Sequence, residues 1–243
     1  MRIPTLTLIT ITKDDSQGIT RTLASTSRWR ALEWVEQIVV DGSAVPAVLN
    51  ESSVQYMRQA ASGIARAFNE GLAKARGEWV WFINGGDEID PRLDPAWLKF
   101  LLDSMQADVL IGGTTFPGGP APRLPLPPKC QWPSFIPWIP HPSTLVHRSM
   151  FSRFGDFDPE FKIAMDFEWW LRALSGTVSV DQVSVPFAIF APGGVSSRED
   201  MRGETRRETA AAVWKHRRIL LRSWGGYTKR MVSRVLPSLW QRL

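Results

Sequence analysis

Three carboxylates stand where chemistry is easiest to arrange. The stretch Gly77-Glu78-Trp79-Val80-Trp81-Phe82-Ile83-Asn84-Gly85-Gly86-Asp87-Glu88 joins an apolar run to a Gly-Gly turn and then to two acids. A carboxylate just past a buried strand lies at the C-terminal edge of a sheet, where open α/β folds bind ligands. Gly85 and Gly86 let the backbone approach a ligand closely. One strong oxygen ligand beside bare backbone suits Mg²⁺ or Mn²⁺, which take one or two carboxylates together with substrate phosphates. A solvated turn in which Asp87 merely caps the next segment accounts for the same residues equally well. Asp166 heads the apolar segment Phe167 to Leu174. There it suits a general base, with partial burial tuning its proton affinity, although residue pattern alone favours an N-cap. Glu168, two residues on, fits the favourable field of a helix N-terminus. Asp41, followed by Gly42-Ser43, is open between a site residue and a strand-end turn residue.

The segments that must position these residues alternate between strand and helix patterns. Leu6 to Ile11 is continuous and β-branched, closed by the polar run Thr12-Lys13-Asp14-Asp15. Ile19 and Leu23 give a weak helical stripe. Trp34 to Val40 is a second strand, Val54 to Met57 a short third, and Trp79 to Ile83 a strand buried on both faces. Ile64, Phe68, Leu72 and Ala75 repeat at helical period, with Ser62 as N-cap and Gly77 as the stop. Asp94-Pro95 opens another helix, and Asp108 to Thr115 is a further strand. Helices come next at Met150 to Phe154 and Asp166 to Leu174, and strands near Val178–Val180 and Phe187–Phe190. Strands separated by helices imply right-handed crossovers and an α/β domain with a mostly parallel central sheet.

Between Pro117 and Pro142 the density of proline excludes sheet and helix interiors. Trp132, Phe135, Trp138 and Ile139 within it seek burial or a partner, as in a lid or acceptor loop. At 243 residues the chain suits one domain with an appendage. Its single cysteine, Cys130, rules out a disulfide framework and a Cys-based zinc site. No apolar run approaches a transmembrane length, and the short apolar N-terminal run lacks the form of a secretory signal, so a cytoplasmic protein is expected. The charge is uneven: from Met201 onward eleven Lys/Arg face only Glu204 and Glu208, which leaves residues 1–200 net negative. That argues against a body that grips nucleic acid and for a tail that meets an anionic surface.

Several segments together resemble the family-2 inverting glycosyltransferases with the GT-A fold, over roughly residues 5 to 200. Leu8-Ile9-Thr10-Ile11-Thr12-Lys13 is similar to the family's first strand, and Val39-Val40-Asp41-Gly42-Ser43 to its second-strand ending. Gly63-Ile64 through Asn69-Glu70-Gly71 resembles the helix before the central strand. Asn84-Gly85-Gly86-Asp87 stands where the metal-binding Asp-x-Asp lies, as in a branch with an Asn-x-Gly-Asp type motif. His141-Pro142-Ser143, the block Phe151 to Phe157, the segment Lys162 to Arg172, and Phe190 with Gly193-Gly194-Val195-Ser196 complete the resemblance. It implies a nucleotide-binding domain over residues 1–200, with Thr10, Thr12 and Asp41 on the nucleotide and Asp87 on the metal. It implies Asp166 as the catalytic base, and His141, Trp138, Glu168 and Ser196 as acceptor or phosphate contacts. The donor would be a UDP- or GDP-sugar and the acceptor a glycan or lipid-linked glycan of cell-surface polysaccharide synthesis. A metal on Asp87 would neutralise the departing diphosphate. Asp166 would take the acceptor's proton, and a single displacement would invert the anomeric centre. The first Asp-x-Asp carboxylate is replaced, by Gly85 or by Asn84 if the motif is read one residue earlier. That replacement keeps a silent GT-A-fold scaffold as the alternative.

Residues 201–243 form the appendage. Ala210, Val213, Trp214, Leu220, Leu221 and Trp224 lie at near-helical spacing with arginines between them. A second stripe runs from Met231 to Leu243. Basic amphipathic helices with Trp and Leu on the apolar face lie in membrane interfaces, here the inner face of the cell membrane. Packing of the first helix on the catalytic domain and of the second in a homodimer fits the same periodicity.

Overall fold

The structure is a computed structural model that describes residues 3–47, 52–59, 63–117, 139–173, 176–192, 194 and 199–223, with side chains up to residue 217. Trp138, Ser196 and the second tail stripe lie outside the described residues. The strands are β1 (Leu6–Thr12), β2 (Val35–Asp41), β3 (Gln55–Arg58), β4 (Trp79–Phe82), β5 (Glu88–Ile89), β6 (Val109–Thr115), β7 (Thr144–His147) and β8 (Val180–Ile189). The helices are α1 (Ser16–Arg30), α2 (Ile64–Leu72), α3 (Pro95–Ser104), α4 (Ser149–Phe154), α5 (Met165–Ala173) and α6 (Arg202–Ser223).

The strands form one sheet in the order β3-β2-β1-β4-β7-β6-β8-β5. The expected parallel arrangement holds from β3 through β2 and β1 to β4. Beyond β4 the sheet is mixed: β7 runs antiparallel to both β4 and β6, and β5 antiparallel to β8. Antiparallel neighbours need no right-handed crossover between them, so β7 can enter the sheet against the direction of β4 and β6.

Strand β4 alternates faces as a strand must. Trp79, Trp81 and Ile83 pack with Leu6, Leu8 and Trp29 beside α1 and α3, whereas Val80 and Phe82 pack with Ile9, Phe68, Phe151 and Trp169 beside α2, α4 and α5. Burial of each such side chain is worth about 1.5–3 kcal/mol. Trp81 also satisfies its indole, Nε1 donating to the Pro142 carbonyl at 2.8 Å, which moors the end of the proline-rich loop to the central strand.

The expected helix and strand limits hold in part. Asp94 caps α3, accepting from Ala96 N, with Pro95 in the first turn. The cap position of α2 is held by Gly63 at φ +124°, the expected cap Ser62 lying outside the described residues, and the helix stops at Leu72, ahead of Gly77. The two late strands expected at 178–180 and 187–190 are one continuous β8.

The boundary expected at residue 200 falls inside a packed unit, because α6 sends Ala212 into the core and lies against α5. Its buried stripe is Glu208, Ala212 and His216, whereas Trp214 is 62% exposed. Of the expected apolar stripe, Val213 packs against the core and Ala210 is half-buried, whereas Trp214 faces away. Glu208 and His216 turn inward because both have polar partners on the body.

Candidate active site

The C-terminal ends of β1, β2 and β4 converge at one edge of the sheet. Thr12 and Asp41 are register partners across β1 and β2. Gly42 N donates to Thr12 O at 2.9 Å, and Gly85 N to Ile11 O at 2.9 Å, so backbone bonds carry the alignment past the strand ends. Asp14, at φ +52°, accepts from Ala44 N through its side chain while its own N–H donates to Ser43 Oγ, which joins the two loops.

The Asn84–Asp87 turn is held from below by Thr22 on α1. Its hydroxyl accepts from Gly86 N at 2.9 Å and lies 2.7 Å from the Asp87 carbonyl, to which it donates. Gly86 sits at φ +104°, a conformation that side chains strongly disfavour. Asp87 is buried, and one carboxylate oxygen accepts from Ala191 N at 2.8 Å, just beyond β8. Burial pushes this carboxyl up to about 7, only partly opposed by the N–H groups of Ala191 and Asn84. Among the described residues no cation pairs with it.

The side-chain oxygen Oδ1 of Asn84 and the hydroxyl of Thr12 are both buried without a partner. A buried carboxylate lacking counter-charge, beside an orphaned amide oxygen, fits a hard divalent cation. Among the described residues no cluster of three His, Cys, Asp or Glu side chains offers a metal site. Asp87 and Asn84 would thus hold the ion together with oxygens of the bound substrate. Arg21 Nη2 lies 4.0 Å from where a Cβ on residue 86 would stand, placing a guanidinium over the same turn.

Asp41 is fully buried and already in use. Ser43 N, Ala47 N and the Tyr56 hydroxyl donate to it at 2.8, 2.8 and 2.6 Å, with Arg58 at 3.3 Å. Burial alone would raise its pKa, but hydrogen bonds from Ser43, Tyr56 and Ala47 prevail and hold it at about 2. Asp41 therefore knots the loop after β2 and bears on a ligand chiefly through that loop.

Thr10 does not open onto the site. It is completely buried and accepts from Gln37 Nε2, part of a polar chain running through Thr26 to Arg30. Its side chain shares a face of β1 with that of Thr12, two residues on, but its hydroxyl is engaged by Gln37.

Asp166 lies within the first turn of α5, which begins at Met165, so it is not the N-cap. Its carboxylate is half-buried and accepts from the adjacent Phe167 N at 2.7 Å. Burial raises it to about 6, opposed by that same N–H. It makes no ion pair among the described residues, so it is free to accept a proton from a bound hydroxyl.

Glu168 is different. Fully buried, it accepts from His216 Nε2 at 2.6 Å and from Arg172 at 3.0 Å. Burial disfavours its charge, but His216 and Arg172 outweigh that and lower its pKa. The expected contact between Glu168 and an acceptor is thus replaced by a tie to α6.

His141 stacks on Phe82 with centroids 4.9 Å apart and touches Phe68 and Phe157. Burial lowers its pKa to about 4, so the imidazole is neutral and supplies no positive charge to a diphosphate. Its Nε2 is unpartnered among aromatic side chains.

Thr22, Arg21 and Glu208 belong to no motif of the sequence. Thr22 had a signal, a polar residue on the buried stripe of α1 between Gly18 and Thr26. Glu208 had one too, recurring at four-residue spacing with Ala212 and His216.

This edge, with a parallel half-sheet, a glycine turn and carboxylates beyond the strands, belongs to a mixed α/β domain of the GT-A type. The sequence matches the model of glycosyl transferase family 2 over residues 7–152, and the chain belongs to that family. It is 29% identical over 187 residues to the uncharacterized glycosyltransferases Rv1514c and MT1564 of two Mycobacterium tuberculosis strains, covering 70% of this chain and 69% of theirs. Among solved structures it is similar to TarS of S. aureus, with a TM-score of 0.63 at 17% identity. That match covers 86% of this chain but only 39% of the TarS chain. A TarS fragment, residues 1–349, solved with UDP-GlcNAc matches at 18% identity and the same TM-score, covering 66% of the fragment. At these identities the likeness is one of fold. No described helix is long and apolar enough to cross a membrane.

Proposed function

We propose that this chain transfers a sugar from a nucleotide-sugar to an acceptor hydroxyl with inversion, using Mg²⁺ or Mn²⁺. The observation that carries the reading is Asp87, a buried carboxylate with no counter-charge among the described residues, in the same turn as the orphaned Asn84 Oδ1. A bound divalent ion would supply charge stabilisation for the departing diphosphate. The protein's own part is to orient the donor between the loops after β1 and β2 and the Asn84–Asp87 turn, with Arg21 as a further positive charge. Asp166, unpaired and raised toward neutrality, takes the acceptor proton. With Asp166 as the one catalytic carboxylate and no second nucleophile assigned, a single displacement is the consequence. The TarS fragment was solved with UDP-GlcNAc, which favours a UDP-sugar over a GDP-sugar as donor. A glycan or lipid-linked glycan is the acceptor class. The exposed Trp214, with the Arg217 guanidinium 4.1 Å over its ring, supports contact between the basic tail and an anionic membrane.

The test is a panel of UDP- and GDP-sugars read by thermal shift and nucleotide release, with and without Mn²⁺, on wild type and Asp87→Asn. One sugar nucleotide should stabilise the wild type in a Mn²⁺-dependent manner, and the variant should lose that dependence and most turnover while staying folded. Near-normal, metal-dependent turnover by Asp87→Asn overturns the metal assignment, and a retained anomeric configuration by NMR overturns the single displacement.

A further inference from the structure

The N–H groups of the segment leading into α5 find their acceptor far away in sequence. Glu208 of α6 accepts from three successive backbone amides, Lys162 N at 2.9 Å, Ile163 N at 2.8 Å and Ala164 N at 2.9 Å. These amides lie in the turn leading into α5, where no regular ladder pairs them, and a carboxylate is the strongest partner for a backbone N–H. None of Lys162, Ile163 or Ala164 carries a side-chain acceptor, so the segment cannot cap itself. Glu208 is itself buried, and its neighbours on the same face are Ala212 in the core and His216. His216 bonds Glu168 at 2.6 Å, and Lys215 pairs with Asp158 upstream. Asp166 therefore sits between two anchors on α6, one binding residues 162–164 and the other residue 168.

We propose that Glu208 is a positioning residue for Asp166, and that α6 works as a clasp fixing where the base carboxylate stands. The proposal rests on the reading of Asp166 as general base. Asp166 has no side-chain partner of its own among the described residues, so its placement is set by the backbone on either side. A general base must come within hydrogen-bond reach of the hydroxyl, and a misplacement of about 1 Å can reduce turnover about 10²-fold. Glu208→Gln keeps the volume but leaves one oxygen and adds an NH₂ that opposes a backbone N–H.

The experiment compares wild type, Glu208→Gln, Asp166→Asn and the double variant as full chains. Turnover is read as nucleotide release from UDP-GlcNAc, or from whichever UDP- or GDP-sugar of the panel is used. Hydrogen exchange is followed over residues 160–170. Glu208→Gln is expected to lower kcat about tenfold or more with donor KM within about twofold. Amides 162–164 should exchange faster while those of the Asn84–Asp87 turn are unchanged. With Asn at 166, Glu208→Gln should cause no further loss, because the positioned group is gone.

Wild-type turnover by Glu208→Gln, or an equal loss in both backgrounds, overturns the proposal and leaves Glu208 as structural glue. If Glu208→Gln does not fold, Glu208→Asp, which keeps the charge and both oxygens on a shorter stem, takes its place in the same comparison. Full activity of Asp166→Asn alone refutes the base assignment itself, a result the single variant separates from failure of the clasp.

Discussion

Replacing Asp166 by Asn separates a catalytic base from a mere first-turn charge by the sign of its effect on stability. The native structure raises this carboxyl from 3.8 to about 6 by burial. A shift of that size corresponds to at most about 3 kcal/mol. Because the group keeps solvent contact, screening reduces the figure to about 1–2 kcal/mol. The folded state binds the proton more tightly than the unfolded state, so stability from this group is highest below about pH 4 and falls as pH rises to about 6. Asparagine is neutral throughout and escapes that decline. Asp166→Asn should therefore be more stable than wild type by about 1–2 kcal/mol at pH 8 and nearly equal to it at pH 4, measured by urea denaturation of both proteins. Turnover should fall about 10²-fold or more at pH 8, and wild-type kcat should drop on the acid side of about pH 6 as the base protonates. An aspartate kept for its charge in a helix's first turn behaves oppositely, its removal costing about 0.3–1 kcal/mol. Destabilisation at pH 8, or a stability difference independent of pH, would refute the reasoning.

Helix α6 and the tail beyond it carry two further expected outcomes. Glu168→Gln should destabilise the fold by about 1–3 kcal/mol at pH 7, since it weakens a buried acceptor of His216 and Arg172. Glu168 has a lowered pKa, so its stabilisation is present above the ordinary value of 4.5 and is lost as pH falls through the folded value. The deficit measured by thermal unfolding should accordingly shrink in acid, and a deficit unchanged at low pH would refute the ion-pair account. The full chain should co-sediment with anionic liposomes at low salt and be released at high salt. A chain ending at Ser223 keeps α6 and should melt like the full chain but bind far less. Equal binding by both chains, or none by either, would leave the tail as a packing or dimer element.

Periodicity and strand-end chemistry were legible in the amino-acid order because both are local. The alternation Trp79-Val80-Trp81-Phe82 marks a strand with two buried faces, and Asn84-Gly85-Gly86-Asp87 marks a sharp turn past its end, before any fold is known. The Asp94-Pro95 helix start is equally local. The tertiary structure decided how each polar side chain is used, because its partners come from distant segments. Thr10 and Thr12 look alike along β1, yet Gln37 engages one hydroxyl and the other is left bare beside Gly85. Asp166 and Glu168 look alike at the head of α5, yet His216 binds the second and not the first. Glu208 reads as one acid in a basic tail until the fold brings it against residues 162–164. Long-range pairing assigns those roles, since a buried carboxylate takes its charge state and its task from the donors around it.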